Sequence, residues 1–254
     1  MAEQNIHVED QPPAGWDSSP GSWWRLYGIF LEPTRTFQEI NRRPNWAPPL
    51  LLVVLIAALT NVYIINSIGF KTILRQQMQQ NSQFQELTRE QQEEQIERVS
   101  EQALVRYLSY LGPIFSVIVV LLVAGVLLLG LVLGGSESTF RKVFSVTCHS
   151  FFFYTALVSV LSVLVVMLTE DKEGIQVQNI VQSNLGLLVE RTESSVLYTV
   201  ASSVDVFSFY LIYLLSLGLS VVGKRISFGK AVGTVGSFWL LWVLAKTGWS
   251  ALFS

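Results

Sequence analysis

The stretch LGPIFSVIVVLLVAGVLLLGLVL, Leu111–Leu133, decides the fold class. It carries no charged side chain and consists mostly of Val, Leu and Ile. At a rise of about 1.5 Å per residue it covers the roughly 30 Å of bilayer hydrocarbon. Working outward, four more apolar segments have comparable length: Pro48–Ile68, interrupted by Thr60, Asn61 and Asn66, then Val143–Leu168, Val196–Val222 and Phe228–Phe253. The expectation is an all-α polytopic membrane protein with five transmembrane helices. Composition agrees. Half of the 254 residues are apolar and only 14% are charged, well under the quarter usual in soluble domains, and the mean hydropathy is +0.43.

The rest of the composition excludes several function classes. A net charge of -2 gives no electrostatic case for nucleic acid. The single cysteine, Cys148, cannot form a disulfide within the chain, and no Cys/His zinc spacing is present. Residues 1–22 are polar, contain Pro12, Pro13 and Pro20, and have no apolar core of a signal peptide. They are expected to form a disordered tail before one membrane domain, 23–254.

Between tail and first span lies WWRLYGIFLEPTRTFQEINRRPNWAPPLLL, Trp23–Leu52. Trp and Tyr favour the headgroup level, and Arg favours the anionic cytoplasmic face. Pro33 divides this apron into two short helical pieces. It is expected to be an N-terminal interfacial helical segment, packed on its own spans or offering a partner surface at Trp23, Trp24, Phe37, Arg42, Arg43 and Trp46. The partners implied are the lipid bilayer and an unidentified membrane or cytoplasmic protein.

The long connections differ in kind. In Lys71–Tyr107 the apolar residues Ile96, Val99, Ala103 and Tyr107 recur as one stripe of a helix, and Glu86, Glu90, Glu93, Glu94 and Glu97 form a solvated face. The apolar residues of Thr169–Ser195, among them Ile175, Ile180 and Leu187, fit a loop lying flat on the membrane. Basic residues set the orientation. Arg25, Arg35, Arg42 and Arg43, then Arg141 and Lys142, then Lys224, Arg225 and Lys230 fall on one side of a five-span chain. The other side dilutes its cations, Arg191 included, over two long loops. The expected location is the cell (inner, cytoplasmic) membrane, with the N-terminus cytoplasmic and the C-terminus outside.

The apron resembles the opening of bacterial Yip1-domain proteins. The resemblance rests on Trp23, Trp24, Pro33, Phe37, Ile40, Pro44, Trp46, Pro48 and Pro49. Three later stretches are similar to that family: Gly134–Arg141 before the third span, Val204–Phe209 in the fourth, and Lys246–Trp249 near the end. It implies five transmembrane helices with a cytoplasmic N-terminus. Eukaryotic relatives act in vesicle traffic and bind small GTPases, but of their Asp-Leu-Tyr-Gly-Pro motif only Tyr110-Leu111-Gly112-Pro113 has a counterpart, and Thr147-Cys148-His149-Ser150 stands where they have Tyr-Gly-Tyr. GTPase binding is therefore not carried over.

Apart from Lys230 at the start of the fifth, the apolar segments contain two charges: Asp205 in the fourth and Lys246 in the fifth. An Asp deep in hydrocarbon costs about 2.5–3.5 kcal/mol, so it needs a partner or a wet cavity. Matching depths make Asp205 and Lys246 a candidate intramembrane pair, flanked by Thr199, Ser202 and Ser208 on one helical face. Three arrangements fit: a structural ion pair, a proton or cation position in a pathway, or a snorkelling Lys246 with Asp205 held by hydroxyls. Catalysis has little to build on. His149 and Asp205 belong to opposite membrane faces, Gly134-Gly135-Ser136 is not a phosphate loop, and no metal or cofactor motif is present. Small-residue pairs Gly130/Gly134, Ser216/Ser220 and Gly229/Gly233 are expected to let helices approach within the chain. The expected function is a non-catalytic, membrane-organising or partner-binding protein, or alternatively a small transporter or channel subunit.

Overall fold

Proline placement starts the membrane domain. In the computed structural model, which describes residues 23–79, 81–172, 174–181, 183–189 and 195–253, α1 (Trp24–Leu31) ends before Pro33, which occupies the first turn of α2 (Pro33–Arg42). Pro48 and Pro49 begin α3 (Ala47–Ile68) in the same manner, where a missing N–H costs nothing. Gly69, at φ 96°, then turns the chain into α4 (Phe70–Met78). Two short helices follow, α5 (Ser82–Gln85) and α6 (Arg89–Glu101), the latter opened by a Thr88/Gln91 capping box. Then come α7 (Ala103–Leu111), α8 (Phe115–Leu133), α9 (Phe140–Leu168), α10 (Ser195–Ser203), α11 (Val206–Val222) and α12 (Phe228–Phe253).

Among the described residues, four helical stretches are long and apolar enough to cross a membrane: Ala47–Ile68, Ala103–Leu133, Phe140–Leu168 and Phe228–Trp249. Val206–Val222 is a shorter apolar helix. The expected fourth span, Val196–Val222, is thus two helices separated at Val204–Asp205. The polar tail reading of residues 1–22 and the place of Arg191 lie outside the described residues.

The helices form a bundle with two distinct ends. At one end the apron is part of the core: Ile29, Phe37 and Ile40 are fully buried with Val53, Leu131, Val146 and Leu219. The loops after α8 and α11 meet there, with Ser136 Oγ donating to the Lys224 carbonyl (2.6 Å) and Ser138 Oγ to that of Val222 (3.1 Å). Lys142 Nζ donates to Asn41 Oδ1 at 2.7 Å, tying α9 to α2. At the other end α4 and α6 are bridged by Lys71–Glu97 (2.5 Å) and Arg75–Glu93 (2.9 Å) over a small core of Leu74, Phe84 and Ile96.

Two loop expectations change. The stripe from Ile96 to Tyr107 is broken at Gln102 between α6 and α7, so Ile96 is buried while Tyr107 faces outward. The loop after α9 does not lie flat. Ile175 and Ile180 pack on Ile65, Ile68 and Val166, and Gln76 clamps the loop by donating to the Ile175 carbonyl and accepting from the Val177 N–H. Those contacts bury apolar area against the ends of α3 and α9 that a flat loop would leave exposed.

Candidate polar cavity and apron surface

The break in the fourth apolar segment builds a site. Main-chain bonds from Leu185 N to the Val204 carbonyl (3.1 Å) and from Val206 N to that of Ser183 (3.4 Å) pair the loop with the break. Backbone groups freed by the interruption are thereby satisfied, as an apolar surrounding requires. Asp205 is the N-cap of α11. Its Oδ2 accepts from Ser208 N (2.9 Å) and Ser208 Oγ (3.0 Å), and its Oδ1 accepts from Ser183 Oγ. Both carboxylate oxygens thus have donors at the start of α11, where the first-turn amides have no partner within the helix.

Asp205 faces a half-open cavity of about 690 Å³ lined by α3, α9, α10, α11, α12 and, from the loop between α9 and α10, Val177, Asn179, Ile180, Val181, Ser183 and Asn184. Thr199, Ser202 and Ser208, the residues that share its helical stripe, also line it. Lys246 lines the same cavity from α12 and is exposed. Among the described residues no ion pair joins it to Asp205. Of the three arrangements the sequence leaves open, the contacts match the one in which hydroxyls hold Asp205 and Lys246 is exposed, with the difference that the carboxylate sits at a helix start and not inside a continuous helix.

Several lining residues escaped the sequence reading. Ser183 is separated from Asp205 by the whole of α10, and no local pattern joins them. Tyr154 contributes from α9. Trp239, Trp242 and Val243 line the wall from α12 beside Lys246, and their spacing of three and four from one another and from Lys246 was a readable signal of one helical face.

The apron splits into two faces. Phe37, expected at a surface, is fully buried, because its ring packs against Gly218 and Val146. Trp24 is half-buried with the Arg35 guanidinium 4.8 Å above its ring. Trp46 packs on Phe144 (5.4 Å) and stays partly exposed. Trp23, Tyr27, Leu31, Arg42 and Arg43 are exposed. Arg25, by contrast, is buried, donating from Nη1 to the Arg43 carbonyl at 2.6 Å. Burial pushes its guanidinium below its ordinary pKa, the Glu39 carboxylate opposes that, and the Arg43 charge adds to it.

The residues with catalytic potential stay apart. His149 is fully buried on α9 with Nδ1 donating to the Ser145 carbonyl at 2.8 Å, and Cys148 beside it is fully buried. Neither lines the Asp205 cavity. No group of three or more His, Cys, Asp or Glu residues is placed to hold a metal among the described residues.

A family model, the Yip1 domain, matches residues 27–250. No curated protein matches the chain, and no solved structure does.

Proposed function

The chain belongs to the Yip1 domain family, and on that premise we propose that it is a non-catalytic membrane protein that organises membrane or partner proteins through the outward face of its apron. It crosses the cell (inner, cytoplasmic) membrane five times, with the N-terminus inside and the C-terminus outside. The carrying observation is the two-faced apron. One face is fused into the bundle through Ile29, Phe37 and Ile40, while Trp23, Tyr27, Leu31, Arg42 and Arg43 remain exposed. A rigidly mounted aromatic and basic surface is suited to recognition, since its side chains need little further ordering.

Photo-cross-linking in native membranes tests this. A cross-linking amino acid at Tyr27 should trap one discrete partner, lost when Trp23 and Arg42 are both changed to Ala. The same group at buried Ile29 should trap nothing. Equal yields at Tyr27 and Ile29, or none at Tyr27, would remove the apron reading.

The Asp205 cavity favours a second reading, a small transporter or channel subunit, since polar side chains of α9, α10, α11 and α12 converge on it. Flux in proteoliposomes that disappears in Asp205→Asn would favour it over the first.

A further inference from the structure

The Asp205 cavity carries opposite charges that do not neutralise each other. The Asp205 carboxylate is fixed by Ser183 and Ser208, while Lys246 reaches the same space from α12. A single small cation would leave most of about 690 Å³ unfilled, a volume within the usual range for organic ligands. Among the described residues, a polyanion such as a nucleotide would meet one lining cation, Lys246, and a carboxylate facing it. A ligand carrying both a cation and an anion is matched at each pole.

The walls narrow the class. Tyr154, Trp239 and Trp242 line the cavity, and aromatic faces attract an ammonium group. Serine and threonine hydroxyls supply donors for phosphate oxygens. Depth narrows it further. Asp205 caps the first turn of apolar α11, and Lys246 lies in the last turn of the apolar stretch Phe228–Trp249. In a bilayer-crossing bundle both poles then sit near the headgroup layer at the outer end. Beside Lys246, the α12 residues Leu241, Trp242 and Leu244 are strongly exposed. They offer an apolar track along which acyl chains can run while the head occupies the cavity.

We propose that this cavity binds a zwitterionic amine–phosphate headgroup of the phosphoethanolamine type, the amine against Asp205 and the aromatic rings and the phosphate against Lys246. The inference rests on the cavity and is independent of the apron surface.

Full-length protein in a detergent without phosphate is titrated with dihexanoyl phosphatidylethanolamine, followed by thermal unfolding and by Trp239/Trp242 fluorescence. A saturable rise in unfolding temperature is expected. Dihexanoyl phosphatidylglycerol, which lacks the amine, should bind at least about tenfold more weakly, the equivalent of one lost charge-assisted contact. Lys246→Met should weaken both lipids by about the same factor, and Asp205→Asn should abolish the preference for the amine lipid. Equal affinity for the two lipids in the unaltered protein, or Lys246→Met binding within about twofold of it, would overturn the proposal; both hold even if Asp205→Asn fails to fold. Glycerophosphoethanolamine separates the sources: binding equal to the lipid identifies a free headgroup compound, and binding of the lipid alone identifies the bilayer. Binding without flux in proteoliposomes keeps the site and removes the transporter reading.

Discussion

At the scale of single residues, Asp205 illustrates how a charge is accommodated in an apolar chain. It sits at a helix start, where the Ser208 amide and the hydroxyls of Ser208 and Ser183 converge on its carboxylate. Asn caps a helix about as well as Asp, whereas Ala cannot. Asp205→Asn should therefore remain within about 0.5 kcal/mol of the unaltered protein, while Asp205→Ala should lose about 1–2 kcal/mol in reversible unfolding. Equal stability of the two variants would show that the cap contributes nothing. The sequence revealed that Asp205 needed company, through its charge and the hydroxyl stripe, but left Lys246 and the hydroxyls both open as partners, because depth arithmetic assumes an unbroken helix. Arg25 exposes a similar limit. Counting basic residues treats it as a surface charge, yet the turn at Pro33 folds α1 back on α2 and buries it.

At the scale of elements, close approach at glycine decides how the apron is mounted. A side chain at Gly218 would run into Val146 and come within 3.0 Å of the Phe37 ring. Forcing extra methyl groups into such a contact costs about 1–3 kcal/mol. Gly218→Val should therefore lift α2 from α11. Its readout is thiol labelling at Ile40→Cys in a Cys148→Ser background, blocked in the parent because Ile40 is fully buried and opened by the added Val. Gly125→Val, where nothing lies within 4 Å, should leave Ile40→Cys blocked. Labelling unchanged by Gly218→Val would mean that the apron is held from elsewhere. Of the small-residue pairs read from sequence, Gly130 does meet a neighbour, with Phe238 and Thr234 of α12 2.6 Å from where a Cβ would stand. Gly229 and Gly233 have nothing within 4 Å. Spacing alone does not say which face of a helix has a partner. Helix extents were far more legible: apolar runs and Pro positions place α3, α9 and α12 to within a few residues, while the breaks at Gln102 and Val204–Asp205 depend on contacts distant in sequence.

For the whole molecule, the proposed orientation has two independent supports. Lys and Arg mark the apron and the loops after α8 and α11 as one side. The same regions are joined through Lys142–Asn41, Ser138–Val222 and the Lys224–Glu137 pair at 3.1 Å. Opposite them lie α4 to α6 and the loop after α9, joined through Gln76. The chain then has an odd number of passes only if α11 crosses. Its 17 residues extend about 26 Å, at the short limit for a crossing helix. In the proposed five-crossing arrangement that length puts Asp205 at a membrane boundary and not in mid-membrane, which removes most of the insertion cost its charge would otherwise carry. Impermeant maleimide applied to intact cells in the Cys148→Ser background should label Gln92→Cys on α6 and leave Arg225→Cys unlabelled until the membrane is opened. An alkaline phosphatase fused after Ser254 should be active. Labelling of Arg225→Cys from outside would invert the molecule. A silent C-terminal phosphatase beside a labelled Gln92→Cys would instead make α11 re-entrant and leave four crossings.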